Sequence, residues 1–192
     1  MNEIKTVVNT NYGLLENPVI AEYTATSSVS SISFSDLNIL PGEKYIFRII
    51  GTASANADVY IRFNGFSGAY YFQMGTYSSG TLTANGTYTP NYIYRTGETG
   101  FRVGAGIRTQ LTTIEGTIEI RYNINNSRNC PFFTWKSQCL WNGVQFLSDM
   151  IGIYGQQSVD TITDLSFTPN NSATFSTGTK VQLIKVNNTL TI

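Results

Sequence analysis

Residues 36–74, DLNILPGEKYIFRIIGTASANADVYIRFNGFSGAYYFQM, decide the fold class because apolar and polar side chains alternate along them. Turn signals at Pro41-Gly42 and Asn64-Gly65 divide the stretch into short strands. Three runs predict strands with one apolar face: Tyr45, Phe47 and Ile49; Val59, Ile61 and Phe63; and Tyr70, Phe72 and Met74. We expect the first two faces to pack together inside one sheet. Such a surface must be covered by a later part of the chain.

The rest of the chain continues this pattern of alternating apolar and polar side chains separated by turn signals. Thr81–Thr89 has Asn85-Gly86 at its centre, which predicts a hairpin with a two-residue loop. Along Thr113–Asn123, an apolar face with Ile114, Ile118, Ile120 and Tyr122 alternates with a solvated face, and Gly104 and Gly106 before it predict a bulge or a close backbone approach. Roughly ten short strands with frequent turns predict an all-β fold, a jelly-roll-like β-sandwich of short antiparallel strands.

Changes in composition divide the chain into three parts. Residues 1–17 are polar, weakly periodic and end at Asn17-Pro18, so we expect an N-terminal arm or an edge strand. Residues 18–124 form the sandwich body. Residues 125–192 hold both cysteines and both tryptophans, and either complete the sandwich or form a small second lobe. In this part we expect a hairpin closed near Lys136-Ser137 and, because of its spacing, a helical turn within Val144–Ile153.

The charge content limits the choice of partners. Only 12% of the residues are charged and the formal net charge is +0, with the twelve basic residues scattered along the chain. Nucleic-acid binding requires a basic patch, so we expect no such partner. The N-terminus lacks the pattern of a signal peptide, and no apolar run approaches the roughly 20 residues that cross a bilayer. We therefore expect synthesis in a cytoplasm and no membrane insertion.

The residue inventory argues against catalysis. Histidine is absent, which removes the usual general base and the usual zinc ligand, and no metal or cofactor is expected. Glu115 and Glu119 are the candidates for a glycosidase pair, but a structural role is the simpler interpretation. Asp160 and Asp164 lack the spacing of known calcium loops. We therefore expect no enzyme activity.

The two cysteines, Cys130 and Cys139, allow two interpretations. They could form a disulfide across the predicted hairpin, or they could be reduced, half-buried thiols. The second interpretation is favoured because disulfides are rare in a cytosol.

Aromatic side chains remain as candidates for binding. Exposed Tyr and Trp beside Asn and Asp can stack on sugars and hydrogen-bond to them, although aromatic residues more often fill cores and subunit interfaces. The candidate glycan or interface contacts are Tyr60, Tyr71, Tyr92, Tyr94, Trp135 and Trp141, with Tyr88 as a further one. A second observation points to an interface: the other face of the central strand, with Lys44, Ile46, Arg48 and Ile50, is half apolar, which fits cover by another chain.

Several motifs, taken in order, resemble a β-sandwich module of virion proteins of tailed bacteriophages. They are Asp36-Leu37 with Gly42–Gly51, then Tyr60–Gly65 (YIRFNG) and Gly68–Tyr71 (GAYY), then Leu140–Gly143 (LWNG) and Phe175–Lys185 (FSTGTKVQLIK).

The resemblance implies a virion structural protein: a head fibre, a capsid decoration protein or a tail appendage. It implies other virion proteins as partners, a homo-oligomer, commonly a trimer, and contact with a host surface glycan. It implies no catalytic residues. A glycan-binding module for host adhesion is the alternative function, and a carboxylate-based glycosidase is a third.

Overall fold

The computed structural model describes residues 17–68, 71–81, 89–125, 127–141 and 144–187. Its regular elements are all β-strands: β1 (Val19–Thr24), β2 (Ile32–Phe34), β3 (Lys44–Gly51), β4 (Ala57–Phe63), β5 (Tyr71–Thr81), β6 (Thr89–Glu98), β7 (Phe101–Ile107), β8 (Thr112–Asn123), β9 (Arg128–Trp141), β10 (Val144–Tyr154), β11 (Leu165–Pro169) and β12 (Lys180–Lys185).

The strands form two antiparallel sheets. The large sheet has the order β1-β12-β3-β8-β9-β10-β5-β6, and the small sheet has the order β2-β11-β4-β7. Four nested pairs, β1 with β12, β2 with β11, β3 with β8 and β4 with β7, alternate between the sheets. This nesting is the connectivity of a jelly roll, in which one long antiparallel ribbon is wrapped around a core. The all-β sandwich predicted from the sequence is therefore confirmed.

Two additional hairpins widen the large sheet. β5 and β6 are inserted between β4 and β7, and β9 and β10 are inserted between β8 and β11. All four strands extend the large sheet beyond β8, in the order β9-β10-β5-β6, so in the described part of the chain the large sheet has eight strands and the small sheet four. Residues 125–192 thus supply strands to both sheets, with β11 in the small sheet and β9, β10 and β12 in the large one.

The core lies between the two sheets and is rich in aromatic rings. Phe63 of β4 is at its centre, with the ring centroids of Tyr154 at 5.0 Å, Tyr71 at 5.8 Å and Phe133 at 6.0 Å. These rings come from β5, β9 and β10, so the inserted hairpins share the core of the jelly roll. Their burial stabilises the fold by roughly 1.5–3 kcal/mol for each large apolar side chain.

The predicted pairing of the first two strands is wrong. Tyr45, Phe47 and Ile49 are buried, and so are Val59, Ile61 and Phe63, but β3 belongs to the large sheet and β4 to the small one. The two apolar faces therefore lie in opposite sheets and both line the same core. Alternation shows that a strand has one buried face, but it does not show in which sheet that strand lies.

The register predicted for the third strand is also wrong. On β5, Tyr71 and Gln73 are buried, whereas Phe72 and Met74 are exposed; Tyr70 lies outside the described residues. The amide side chain of Gln73 accepts the Arg102 N–H at 2.8 Å and donates to the Arg102 carbonyl at 3.0 Å. Because both ends of this amide are satisfied, a polar side chain can point inward and the apolar ones point outward.

The Cys/Trp segment differs from the prediction in two ways. Val144–Ile153 is part of β10 rather than a helical turn, because it pairs with β9 on one side and β5 on the other. Lys136-Ser137 lies within β9, and the hairpin joins Trp141 to Val144 instead. The two connecting residues, Asn142 and Gly143, lie outside the described residues, but an Asn-Gly pair is the strongest short hairpin signal.

Two turn and bulge predictions have different outcomes. β4 and β7 pair Ala57 with Ile107 but Val59 with Val103, so β7 bulges beside Gly104 and Gly106, as predicted. β5 and β6 pair with each other, but the predicted hairpin around Asn85-Gly86 lies outside the described residues.

Cys130 and Cys139 are both buried as thiols in the structure. Both lie on β9, nine positions apart, which places their Cα atoms about 30 Å from each other. A disulfide requires a Cα separation of about 6 Å, so a bond within the chain is excluded by the fold.

Candidate interaction surface

Two of the six aromatic candidates are core residues. Tyr71 and Trp135 are buried, so the predicted surface role is wrong for both. The hydroxyl of Tyr71 donates a hydrogen bond to the Phe66 carbonyl at 2.8 Å, and burial raises the pKa of this phenol. The ring of Trp135 packs against Phe101 at a centroid distance of 6.0 Å. Their positions on the inner face of the large sheet explain the burial.

Tyr60 is half-buried on the outer surface of the small sheet. Its hydroxyl donates to Glu98 at 3.3 Å, and the guanidinium of Arg62 lies 5.1 Å from its ring centroid. Burial, followed by the charge of Glu98, raises the pKa of Tyr60. Arg102 binds Asp58 at 2.6 Å beside it. This network ties the β6–β7 connection to β4, which is a structural role.

The remaining aromatic candidates are only partly described. Tyr92 and Tyr94 lie on β6, at the edge of the large sheet, and their backbones pair with Thr76 and Met74 of β5. Trp141 is the last residue of β9. The side chains of all three, and the whole of Tyr88, lie outside the described part of the chain.

The carboxylates singled out in the sequence are held by neighbouring groups. Glu115 accepts both Nε and Nη2 of Arg48, at 2.7 and 2.6 Å. Glu119 accepts Nε of Arg121 at 2.8 Å, and this bond lowers the pKa of Glu119 against the opposing effect of burial. Asp160 accepts the Asn129 amide at 2.7 Å, and Asp164 accepts the Gly65 N–H at 3.1 Å. These last two bonds fasten loops at one end of the sandwich.

The outward side of the large sheet is a broad candidate surface, and we call it the open face. It consists of the outward side chains of β12, β3, β8, β9, β10 and β5, while the inward side chains of the same strands are buried against the small sheet. Because the strands pair without irregularity from β12 to β10, outward residues form straight rows across the sheet.

One end of the open face is apolar. Phe72 is 40% exposed and Met74 is 53% exposed on β5, and Ile151 and Ile153 are exposed beside them on β10. Together with Phe132 of β9 they line a shallow depression of about 90 Å³. Arg121 covers the other side of Phe132, with its guanidinium 3.8 Å from the ring centroid. Exposed apolar side chains grouped in this way are a common feature of interaction sites.

The middle of the open face carries charges of alternating sign. From β3 to β10 one row reads Arg48, Glu115, Lys136 and Asp149. Lys136 binds Asp149 at 3.4 Å, as Arg48 binds Glu115. Each charge therefore has a partner on the next strand, and the row is neutral as a whole.

A groove of about 550 Å³ runs beside this charged row. Its lining combines charged, amide and hydroxyl side chains with one apolar one: Thr76, Thr113, Glu115, Lys136, Gln138, Leu147 and Asp149. A smaller depression of about 210 Å³ adjoins it at Thr117 and Thr134. Sequence analysis identified one edge of this surface through the half-apolar Lys44–Ile50 face, but it missed the contributions of β9, β10 and β5. Their outward residues become neighbours only through long-range pairing.

Metal and membrane features were searched in the described ranges. No group of three or more His, Cys, Asp or Glu side chains there is placed to hold a metal ion. In that same part of the chain, no helix is long and apolar enough to cross a bilayer.

No protein-family model matches this chain, and no curated protein does. Among solved structures, the crystal structure of the alginate lyase vAL-1 from Chlorella virus aligns with 95% of this chain and 90% of that chain. The sequence identity is 11% and the TM-score is 0.19, a value too low to indicate a shared fold.

Proposed function

We propose that this chain is a non-enzymatic structural protein of a bacteriophage virion, where it serves as a head fibre, a capsid decoration protein or a tail appendage. It acts by self-assembly and by attachment to neighbouring virion proteins. The open face is the observation that carries the proposal. It presents exposed apolar side chains and paired charges on a broad sheet, as a protein–protein interface does.

The low charge content supports this function. Only 12% of the residues are charged, about half of the usual ~25%. The chain also exposes four apolar side chains, those of Phe72, Met74, Ile151 and Ile153. Low charge together with exposed apolar side chains favours an assembled state over a free monomer.

The arrangement of the carboxylates supports a role without catalysis. A glycosidase needs one carboxyl group free to donate a proton and a second one facing the same sugar. Here Glu115 is held by Arg48, and Glu119 by Arg121 and Lys44. The Arg121 hydrogen bond lowers the pKa of Glu119, so this carboxylate is not suited to act as the acid, and Glu115 is already held in its ion pair.

Purified particles of the phage that encodes the chain test the proposal. Mass spectrometry of the particles is expected to detect the chain in a fixed ratio to the major capsid protein. Cryo-electron microscopy is expected to show a jelly roll at their surface. Particles that contain no copy of the chain would contradict the proposal, and so would turnover of a polysaccharide by the purified chain that a Glu115→Gln substitution abolishes.

A glycan-binding module is the second candidate, and the groove on the open face favours it. Its volume of about 550 Å³ is in the range of small-ligand sites, and its Thr, Gln, Lys and carboxylate groups can hydrogen-bond to sugar hydroxyls. Titration with host surface oligosaccharides tests this candidate. A Gln138→Ala variant is expected to bind more weakly, whereas Ser33→Ala, an exposed change on β2, is expected to have no effect. Equal binding by both variants would contradict it.

A further inference from the structure

The charged, polar and apolar side chains of the open face are arranged symmetrically about the boundary between β8 and β9. The charged row reads, from β12 to β5, Gln182, Arg48, Glu115, Lys136, Asp149 and Thr76. From the β8/β9 boundary outward, each sign on one side is matched by the opposite sign on the other, and a polar residue ends the row on both sides.

The two adjacent rows have the same symmetry. One reads Ile184, Ile46, Thr117, Thr134, Ile151 and Met74, with threonines at the centre and apolar side chains on both sides. The other reads Ile50, Thr113, Gln138 and Leu147, again apolar, polar, polar, apolar.

We propose that the open face binds the open face of a second copy of this chain, forming an isologous dimer whose twofold axis runs parallel to the strands at the β8/β9 boundary. This axis reverses the order of the strands and keeps each row opposite itself. Arg48 then faces Asp149 of the second copy, and Glu115 faces its Lys136. A twofold interface must be self-complementary in this way.

The apolar positions also match under this axis. Ile46 faces Ile151 of the second copy, Ile184 faces its Met74, and Ile50 faces its Leu147. Three of these six side chains, Ile50, Met74 and Ile151, are at least 36% exposed in the single chain. Their mutual burial supplies the favourable free energy of association, while the charge row fixes the register and orientation.

The size of the face is sufficient for such a dimer. Six strands at about 4.8 Å spacing and the three matched rows at about 6.7 Å spacing cover on the order of 600 Å², and a fourth row at the rim brings the face to about 800 Å². Stable interfaces bury roughly this area on each partner. The groove beside the charged row provides room for the side chains of the second copy, because facing sheets interdigitate at about 10 Å separation.

One row does not match. Lys44 and Glu119 lie on one side of the boundary, and Phe132, Ile153 and Phe72 lie on the other. This row is the last at its end of the face. The Phe132 end, with Arg121 over the ring, then stays at the rim.

The inference rests on the proposed self-assembly and specifies its unit. This unit is a dimer, in place of the trimer that the phage resemblance implies. Sedimentation equilibrium of the wild-type chain is expected to show a concentration-dependent dimer. A strict monomer, or a trimer with no dimer, would overturn the inference.

A charge-swap experiment tests the facing pairs directly. Arg48→Glu alone places two acidic pairs across the interface, and Asp149→Lys alone places two basic pairs there. Each variant is expected to dimerise at least about tenfold more weakly than the wild type. When the two variants are mixed, both cross-interface pairs become opposite in sign, so the mixture is expected to recover dimers that contain one copy of each.

Mixing does not change the like-charge neighbours inside each variant chain. Any recovery of dimers in the mixture therefore reports the charge pairs between the two chains and not repulsion within one chain. Native mass spectrometry with one variant isotopically labelled identifies the mixed dimer. Ser33→Lys, on the other sheet, is the control and is expected to dimerise normally. Single variants that dimerise like the wild type, or a mixture that stays monomeric, would overturn the inference. A monomer whose open face binds oligosaccharides would assign the face to a glycan instead.

The outcomes are independent of those for the virion assignment. A dimer that is missing from purified particles would contradict the virion role alone. A monomer in solution that is present in particles would contradict the dimer alone.

Discussion

Phe47 occupies the inner face of β3 with no exposed surface, and its ring centroid lies 5.9 Å from that of Phe167 on the opposite sheet. Phe47→Ala is expected to lower the free energy of unfolding by about 3–5 kcal/mol, because it removes a buried ring and leaves a cavity. Urea unfolding measures the change. Phe72→Ala deletes the same atoms from a 40% exposed site and is expected to cost less than half as much. Equal losses would contradict the burial assigned to β3.

Gly152 lies on β10 at a position where the ring of Phe101 leaves no room for a side chain. A Cβ atom there would lie 2.4 Å from Phe101 Cδ1. Gly152→Ala is therefore expected to destabilise the protein by about 1–3 kcal/mol through overpacking. Gly155 is the matched control, since its Cβ would meet only Phe72, at 3.3 Å. Thermal melts of both variants compare them, and a Gly155→Ala loss as large as that of Gly152→Ala would refute the explanation.

At the scale of single strands, alternation predicts the inward side chains of β3 and β4 correctly, and those of β8 as far as Ile120. Tyr122, which the pattern assigned to the same face of β8, is 63% exposed, so the prediction is wrong at that end of the strand. It fails for β5, where Gln73 is buried and bonded to the Arg102 backbone. It also fails for β10, whose helix-like spacing is overridden by strands pairing on both sides. Sheet membership and the rows of the open face depend on pairings between distant residues, such as Arg48 with Glu115, and local patterns contain no information on these.

β9 contains both cysteines at positions too far apart to bond with each other. A double Cys130→Ser, Cys139→Ser variant is expected to keep its fold and most of its melting temperature, since the core does not depend on a covalent link. Circular dichroism melts with and without reductant measure this. Phe133→Ser, on the same strand, removes a buried ring from the core and is expected to unfold readily. A large loss in the double variant would show that thiol packing matters.

The ends of β3 and β8 are joined by ion pairs that depend on pH. Glu119 lies between Arg121 and Lys44, and the Arg121 hydrogen bond lowers its pKa from the ordinary value of 4.5. A lowered folded-state pKa adds stability that is fully present above pH 4.5 and is lost as the pH falls through the folded-state pKa. Glu119→Gln is expected to reduce stability at pH 7 and to weaken its acid dependence. Urea unfolding at pH 7 and pH 3.5 tests this. An unchanged pH profile would contradict the pairing.

At the scale of the whole molecule, attachment of the chain to a neighbouring virion protein needs a segment that is not required for the folding of the sandwich. The arm at residues 1–17 is the proposed segment, and residues 1–16 lie outside the described residues. At Asn17 the chain joins the large sheet, because its side-chain oxygen accepts the Asn187 N–H at 3.0 Å and the Pro18 carbonyl accepts the Lys185 N–H at 3.0 Å.

A truncated chain that begins at Asn17 keeps both of these bonds. It is expected to unfold at the same urea concentration as the full chain and to be lost from purified particles, because the core is intact and the attachment segment is gone. Replacing residues 1–16 by a Gly-Ser segment of equal length is the control for length, and it is expected to be lost from particles as well. Destabilisation of the truncated chain would favour the alternative that these residues add an edge strand to their own sandwich. Normal incorporation of the truncated chain into particles would rule out the arm as the attachment.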